Sequence, residues 1–292
     1  MKMSRIKIFI FILTNAAIFS CTFSCTSAQV QKKSVDTKKD VKKSAKKSAS
    51  EVVMETPRAA QRDQSLYAEL DNAIANSDIE KIKIHSSEIL LAHPQDLKAL
   101  NSLAMYYYQK QQVEAALTLL NKSLTAPAQS SAEFTVAVSA IYNNLGLIEL
   151  AKNNKQEALK MFRQALEIDR NNYIAATNAA AIYLKEKDYK KIIITLEGFI
   201  NSTVRAEGFT YYAIALHATG KPAESAEIFE KILKIKPDSR LALLHYSILL
   251  IETQAKYKEG LAQIDRLKLM GAGSESRQII NNLEIKAKAG LK

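Results

Sequence analysis

From about Asp63 onward, large apolar and small residues recur with a 34-residue period. The clearest copy, counted from Ser139, has Tyr142, Leu145, Gly146, Ala158, Phe162 and Ala165 in slots 4, 7, 8, 20, 24 and 27. Within each half of the copy every position lies three or four residues from another, the spacing that gathers side chains on one helix face. Each copy therefore predicts a helix–turn–helix unit. Its apolar face stays uncovered until neighbouring copies stack on it. Weaker copies follow the same template: Leu66, Leu70, Ala73, Ile82 and Ile89 from residue 63, and Leu100, Leu103, Ala104, Tyr107, Ala116 and Leu120 from residue 97. Others contain Ala180, Tyr183, Ile192 and Leu196 from residue 173, and Leu244, Ile248, Tyr257 and Ile264 from residue 241. The predicted units occupy 63–96, 97–130, 139–172, 173–205, 206–239 and 241–274. A last amphipathic stretch, 274–288, carries Ile279, Ile280, Leu283 and Ala287 on one face and suits a helix that caps the final apolar edge.

The phase slips once. From Leu97 to Ser139 is 42 residues, eight more than the period, and the extra stretch contains Ala126-Pro127 and Ser130-Ser131-Ala132-Glu133. Ser130 followed by Glu133 has the spacing of a capping box, which predicts a helix from there to about Lys152. Two readings stay open: about two extra turns on the first helix of the third copy, or a loop bulge.

The copy at Ser139 and the run from Gly220 to Pro237, with Phe229 in slot 24 and Pro237 in slot 32, resemble the tetratricopeptide repeat (TPR) family. The resemblance spans about four-fifths of the chain. It implies an all-α, right-handed superhelical solenoid of about six helical pairs with a C-terminal cap helix. It also implies a binding role rather than a catalytic one, because stacked pairs make an extended surface. In that family the first helix of each pair lines the concave groove, mainly through slots 2, 5, 9 and 12. Carried over, the groove candidates are Tyr67, Asn101, Met105, Tyr108, Asn143, Leu147, Thr177, Leu184, Thr210, Ile214, His217 and His245. Their middle is apolar with a few amides and hydroxyls, which suits an apolar-faced helix or an extended peptide. The apolar members have a plainer reading as packing between neighbouring helices. The carboxylate clamp of the chaperone-binding members is not expected. Asn143, Asn144 and Asn178 offer amides, but no copy supplies the flanking Lys and Arg at matching slots.

The N-terminus differs in kind. Lys2, Arg5 and Lys7 precede an apolar run from Ile8 to Phe19, too short for a comfortable membrane span and followed by Ser20-Cys21. This predicts a signal peptide over residues 1–20. The stretch 18–21 resembles a bacterial lipobox, with Cys21 as the site of lipid attachment, although Phe19 is bulky where a small residue is usual. Cleavage after Ala28, releasing an unlipidated protein, is the alternative. Residues 21–62, with Lys doublets at 32–33, 38–39, 42–43 and 46–47 and little to bury, predict a disordered tether.

Charge follows that division. Residues 1–62 hold 13 of the 41 Lys and Arg and 4 of the 30 Asp and Glu, so nearly all of the net +11 lies there. The repeats are close to neutral, and the tether has no aromatic residue to stack on bases, so nucleic acid is not an expected partner. Both cysteines, Cys21 and Cys25, precede the repeats, which excludes a disulfide framework or cysteine metal site within them. The histidines at 85, 93, 217 and 245 form no HExxH pair, and no GxGxxG, GxxxxGK[ST] or GxSxG occurs. No catalytic residue, cofactor or metal site is expected. His217 and His245, at comparable positions of adjacent copies, keep a proton-linked or metal role open. The expected function is a non-enzymatic scaffold or assembly factor at a bacterial envelope membrane. It would face the periplasm as an anchored lipoprotein and bind a protein partner, in an architecture that looks like that of pilotins. The alternatives are an accessory protein for a hydrophobic small molecule and a soluble binding module.

Overall fold

The computed structural model describes residues 56–200, 205–271 and 274–292, with side chains for 64–200, 205–271 and 276–292. Among the described residues are thirteen α-helices and no strand. The helices are α1 (Thr56–Ala75), α2 (Ile79–Ala92), α3 (Leu97–Gln109), α4 (Val113–Leu124), α5 (Ala132–Ala151), α6 (Lys155–Ile168) and α7 (Tyr173–Lys185). They continue with α8 (Tyr189–Leu196), α9 (Ala206–Ala218), α10 (Pro222–Ile235), α11 (Arg240–Ile248), α12 (Tyr257–Leu269) and α13 (Ser274–Gly290). A 3₁₀ turn, Glu197–Phe199, ends α8, and a π-helical turn, Leu249–Thr253, continues α11.

The backbone repeats as the side chains do. Each hairpin turns on one residue in the left-handed region: Ser77, Gln111, Asn153, Lys187, Gly220 and Ala255. The second helix starts directly after it, with Asp78 and Asp188 capping α2 and α8 through their side chains. From the N-cap of the first helix to the left-handed residue is 15 positions in three hairpins: Asp96 to Gln111, Asn172 to Lys187 and Arg205 to Gly220. In the third hairpin the span is 22, from Ser131 to Asn153.

The extra residues are therefore helix. The helix α5 has 20 residues where α3, α7 and α9 have 13. Its N-cap is Ser131 rather than Ser130: the Ser131 backbone is extended and its Oγ accepts the Phe134 N–H at 3.0 Å. Two adjacent serines offer the same hydroxyl; the capping-box spacing singles out Ser130, but with Ser131 as N-cap Glu133 falls two residues on, in the first turn, rather than three. At the other end, α1 begins at Thr56, inside the stretch expected to be tether. Pro57 suits a first helical turn, where its missing N–H costs nothing, and Ala59 and Ala60 favour helix.

The helices form two compact units, the first ending at Ala126 and the second running from Pro127 to Lys292. In the first, α2 packs against α1 and α3, and α3 pairs with α4. Leu70, Ala73, Ile82, Ile89 and Ala99 close its core. In the second, each helix from α5 to α13 packs on the next, and first helices also touch first helices, α5 on α7, α7 on α9 and α9 on α11. Its core takes in Phe162, Phe209 and Phe229, all fully buried, with small residues such as Ala158, Ala176 and Ala180 between the helices. The fit of α5 on α6 is close: a Cβ on Gly146 would lie 2.5 Å from Phe162 Cε1. The helix α5 has the length and hydropathy of a membrane span by composition. Its buried positions, among them Ile141, Asn143, Asn144 and Ile148, serve the packing of the unit.

Candidate functional site

Because first helices neighbour one another in the second unit, residues at like slots of α5, α7, α9 and α11 share one face. On it, Asn178 Nδ2 donates to Asn143 Oδ1 at 2.8 Å across α7 and α5, and Asn143 Nδ2 donates to Asn144 Oδ1 at 3.3 Å. Asn143 and Asn144 are buried and Asn178 is half-buried. Asn178 Oδ1 accepts no hydrogen bond from the described residues, so the chain of amides ends in an open acceptor. Leu147, one turn after Asn143 on α5, and Leu184 on α7 are each partly exposed and packed on the core.

Further along the face stands an aromatic group. The Tyr173 hydroxyl donates to the Arg205 carbonyl at 2.9 Å, and the Arg205 guanidinium sits 4.8 Å from the Tyr173 ring centre. Phe199 and Phe209 meet the same ring edge-on. Burial raises the Tyr173 hydroxyl above its ordinary pKa and the Glu207 carboxyl above its own, the latter opposed by Lys236. Burial, with Glu207 and Tyr173 beside it, pushes Tyr211 up to about 12. The carry-over of groove slots did not single out Tyr173 or Tyr211, and the Tyr211-Tyr212 doublet was the signal present. At the far end, His217 Nε2 lies 2.8 Å from Thr253 Oγ1.

The twelve groove candidates divide by exposure. Met105, Asn143, Thr177, Thr210 and Ile214 are buried between helices. Thr210 spends its hydroxyl on the Ala206 carbonyl in its own helix. Tyr67, Asn101, Tyr108, Leu147, Leu184, His217 and His245 are half-buried. In the first unit, the Tyr67 hydroxyl donates to Asp96 Oδ2 at 2.6 Å, while Asp96 Oδ1 caps α3 by accepting the Ala99 N–H at 2.7 Å. Lys98 joins Asp71 at 2.5 Å and lies 5.9 Å from the Tyr67 ring centre. Burial raises the Tyr108 hydroxyl above its ordinary value. Among the described residues no group of three His, Cys, Asp or Glu side chains is placed to hold a metal ion.

Residues 95–171 match the family model of the tetratricopeptide repeat. The all-α arrangement of successive helical hairpins is that of a TPR superhelix. Among solved structures, a chain of the APC/C hetero-tetramer Cut9–Hcn1 shares the fold at 10% identity, with a TM-score of 0.56 over 80% of this chain and 46% of that one. The C-terminal part of a TPR repeat-containing protein from Cytophaga hutchinsonii, 16% identical, reaches 0.50 over 78% of this chain and 92% of its own. A curated relative, the Clustered mitochondria protein homolog of Ajellomyces capsulatus (strain NAm1 / WU24), is 28% identical over 144 residues. That match takes in 44% of this chain but spans only 12% of the relative's length.

This relationship corrects the placement expected from the N-terminus. The curated relatives are fungal proteins named for mitochondria, which points away from a bacterial periplasm-facing lipoprotein, and the pilotin-like role that needs such a placement goes with it. Signal-like and lipobox-like runs are short and compositional, so they do not by themselves fix where a protein is sent. Cys21 and the Lys doublets lie outside the described residues.

Proposed function

We propose that this chain is a non-enzymatic protein-binding scaffold that holds a peptide or helix of a partner on the first-helix face of its second unit. The observation that supports it is the amide chain Asn178–Asn143–Asn144, which ends in an open acceptor on helices that also carry the partly exposed Leu147 and Leu184. A peptide main chain supplies N–H donors at regular spacing, and its side chains supply the apolar contacts the two leucines want. Two amides already hydrogen-bonded to each other are fixed before the partner arrives, which lowers the entropy lost on binding. The reading concerns this face alone. The aligned segment is a small part of the curated relative, so the relative's overall role is not carried over.

The test places a photoreactive side chain at Leu147, and in a parallel protein at Ile194, which is exposed on α8. Partner captured at 147 but not at 194 is expected, and Asn178→Ala should then weaken binding of that partner about tenfold or less, the size of one hydrogen bond. Equal capture at both positions, or unchanged affinity in Asn178→Ala, would remove this face from the account. Capture of a small molecule at 147 would replace the peptide as its ligand.

A further inference from the structure

The end of the second unit differs from the rest of the stack in one spot. The first helix of the sixth hairpin leaves α-geometry over Leu249–Thr253, where the Gln254 N–H reaches back five residues to the Leu249 carbonyl at 3.1 Å. That π-turn brings Thr253 Oγ1 to 2.8 Å from His217 Nε2, so a side-chain contact ties α9 to the continuation of α11. One turn before the π-turn, His245 is half-buried on α11, and its ring makes no hydrogen bond with any described residue. It feels the His217 ring electrostatically.

We propose that His217 and His245 make the packing of α11 on α9 a proton-sensitive joint, which neutral imidazoles hold closed and acid loosens. The charged groups around the pair offer little relief. Burial lowers the His217 pKa; Glu252 on the π-turn opposes this by favouring the charged ring, but it also lies 3.9 Å from Lys286 of α13. Glu230 of α10 and Glu259 of α12 act on Tyr246, with Glu230 accepting its hydroxyl at 2.8 Å, and neither acts on His245. Burial therefore governs His245 and, with the His217 ring acting in the same direction, lowers its pKa from 6.5 to about 4. A histidine whose folded-state pKa lies below its unfolded value takes up its proton first in the unfolded chain. Its contribution is complete above pH 6.5 and is lost as the pH falls towards 4. Within that window each pH unit lowers the folding constant by about tenfold, one proton's worth. The joint stands independently of what the first-helix face binds.

Ring titration of the full chain by NMR, with urea unfolding between pH 7.5 and 5, tests it. His245 titrating below pH 5, and His245→Leu removing most of the midpoint loss on acidification, are the expected results. A His245 titration near 6.5, or the same loss in wild type and variant, would overturn the proposal. If His245→Leu does not fold, His217→Gln decides instead. It keeps a hydrogen-bonding group near Thr253, should raise the His245 pKa and should flatten the same pH profile; a profile like wild type counts against the joint. Amide exchange, corrected for its intrinsic pH dependence, should quicken in α11 and α13 ahead of α5 and α6, and a uniform increase would also contradict it.

Discussion

The third and sixth hairpins both carry an insertion, and they absorb it in opposite ways. In the third, the span from Ser131 to Asn153 is seven positions longer than the 15 of three other hairpins. Seven residues make close to two whole turns, so the helix continues and its packing face drifts by only about 20°. Gly146 still lands opposite Phe162. In the sixth, the span from Ser239 to Ala255 is 16, one position too long. One residue would swing every later side chain by about 100° if wound as α-helix. The π-turn over Leu249–Thr253 takes it up instead, and the face recovers its register. A repeat tolerates an insertion when it is a near-whole number of turns, and otherwise distorts locally. The distortion here is what reaches His217.

The close contact also changes sides between the two hairpins. In the third, the glycine is on the first helix and the large ring on the second, whereas in the sixth the glycine is Gly260 on α12 and the large residue is Ile251 in the π-turn. The largest expected effect breaks the first arrangement. Phe162→Ala, at a fully buried position, should destabilise the second unit by about 3–5 kcal/mol, read as a fall in the urea midpoint. Ile264, equally buried in the matching slot of the sixth hairpin, should cost about 2–5 kcal/mol when cut to Ala. A negligible loss at Ile264 would mean that the sixth hairpin is held by its caps rather than by this slot. Adding a methyl group is the smaller perturbation. Gly146→Ala and Gly260→Ala should each cost about 1–3 kcal/mol through overpacking. Gly146 should be the more sensitive, since it meets the stiff Phe162 ring, whereas Ile251 can rotate its chain away. The reverse order would show the π-turn to be the less accommodating of the two.

Much of this was legible in the residues themselves. Small and large side chains at slots 8, 20 and 24 specify which helices approach closely, and the 42-residue step from Leu97 to Ser139 announced an insertion. The step of 35 from Ala206 to Leu241 held the single-residue excess, but one residue is within the ordinary uncertainty of a helix boundary. The face was legible only in part. Slot positions say which side of a helix a residue occupies, not how near the next first helix lies. Small residues such as Ala176 and Ala180 bring α5, α7 and α9 close enough to bury Asn143, Thr177 and Ile214, while Leu147, Leu184 and His217 keep partial access to solvent. The amide chain depends on that closeness, because Asn178 and Asn143 belong to different helices and meet only when the stack is tight.

The smallest effect isolates the turn from everything it joins. Five of the six hairpins turn on a residue other than glycine at positive φ, between 51° at Ala255 and 65° at Asn153, and only the fifth uses Gly220, at 84°. A Cβ in this region crowds the following carbonyl at a cost of about 1–2 kcal/mol. Glycine avoids that cost but loses roughly 0.5–1 kcal/mol more conformational entropy on folding. Ala255→Gly should therefore stabilise the sixth hairpin by about 0.5 kcal/mol, and Gly220→Ala should destabilise the fifth by a similar amount. A Cβ on Gly220 would meet nothing within 4 Å, so the second change reports backbone strain without any packing term. Paired urea midpoints that move in opposite directions by comparable amounts would establish that all six turns share one backbone requirement. Movement of Gly220→Ala alone would show that the π-turn beside Ala255 has already relieved the strain there.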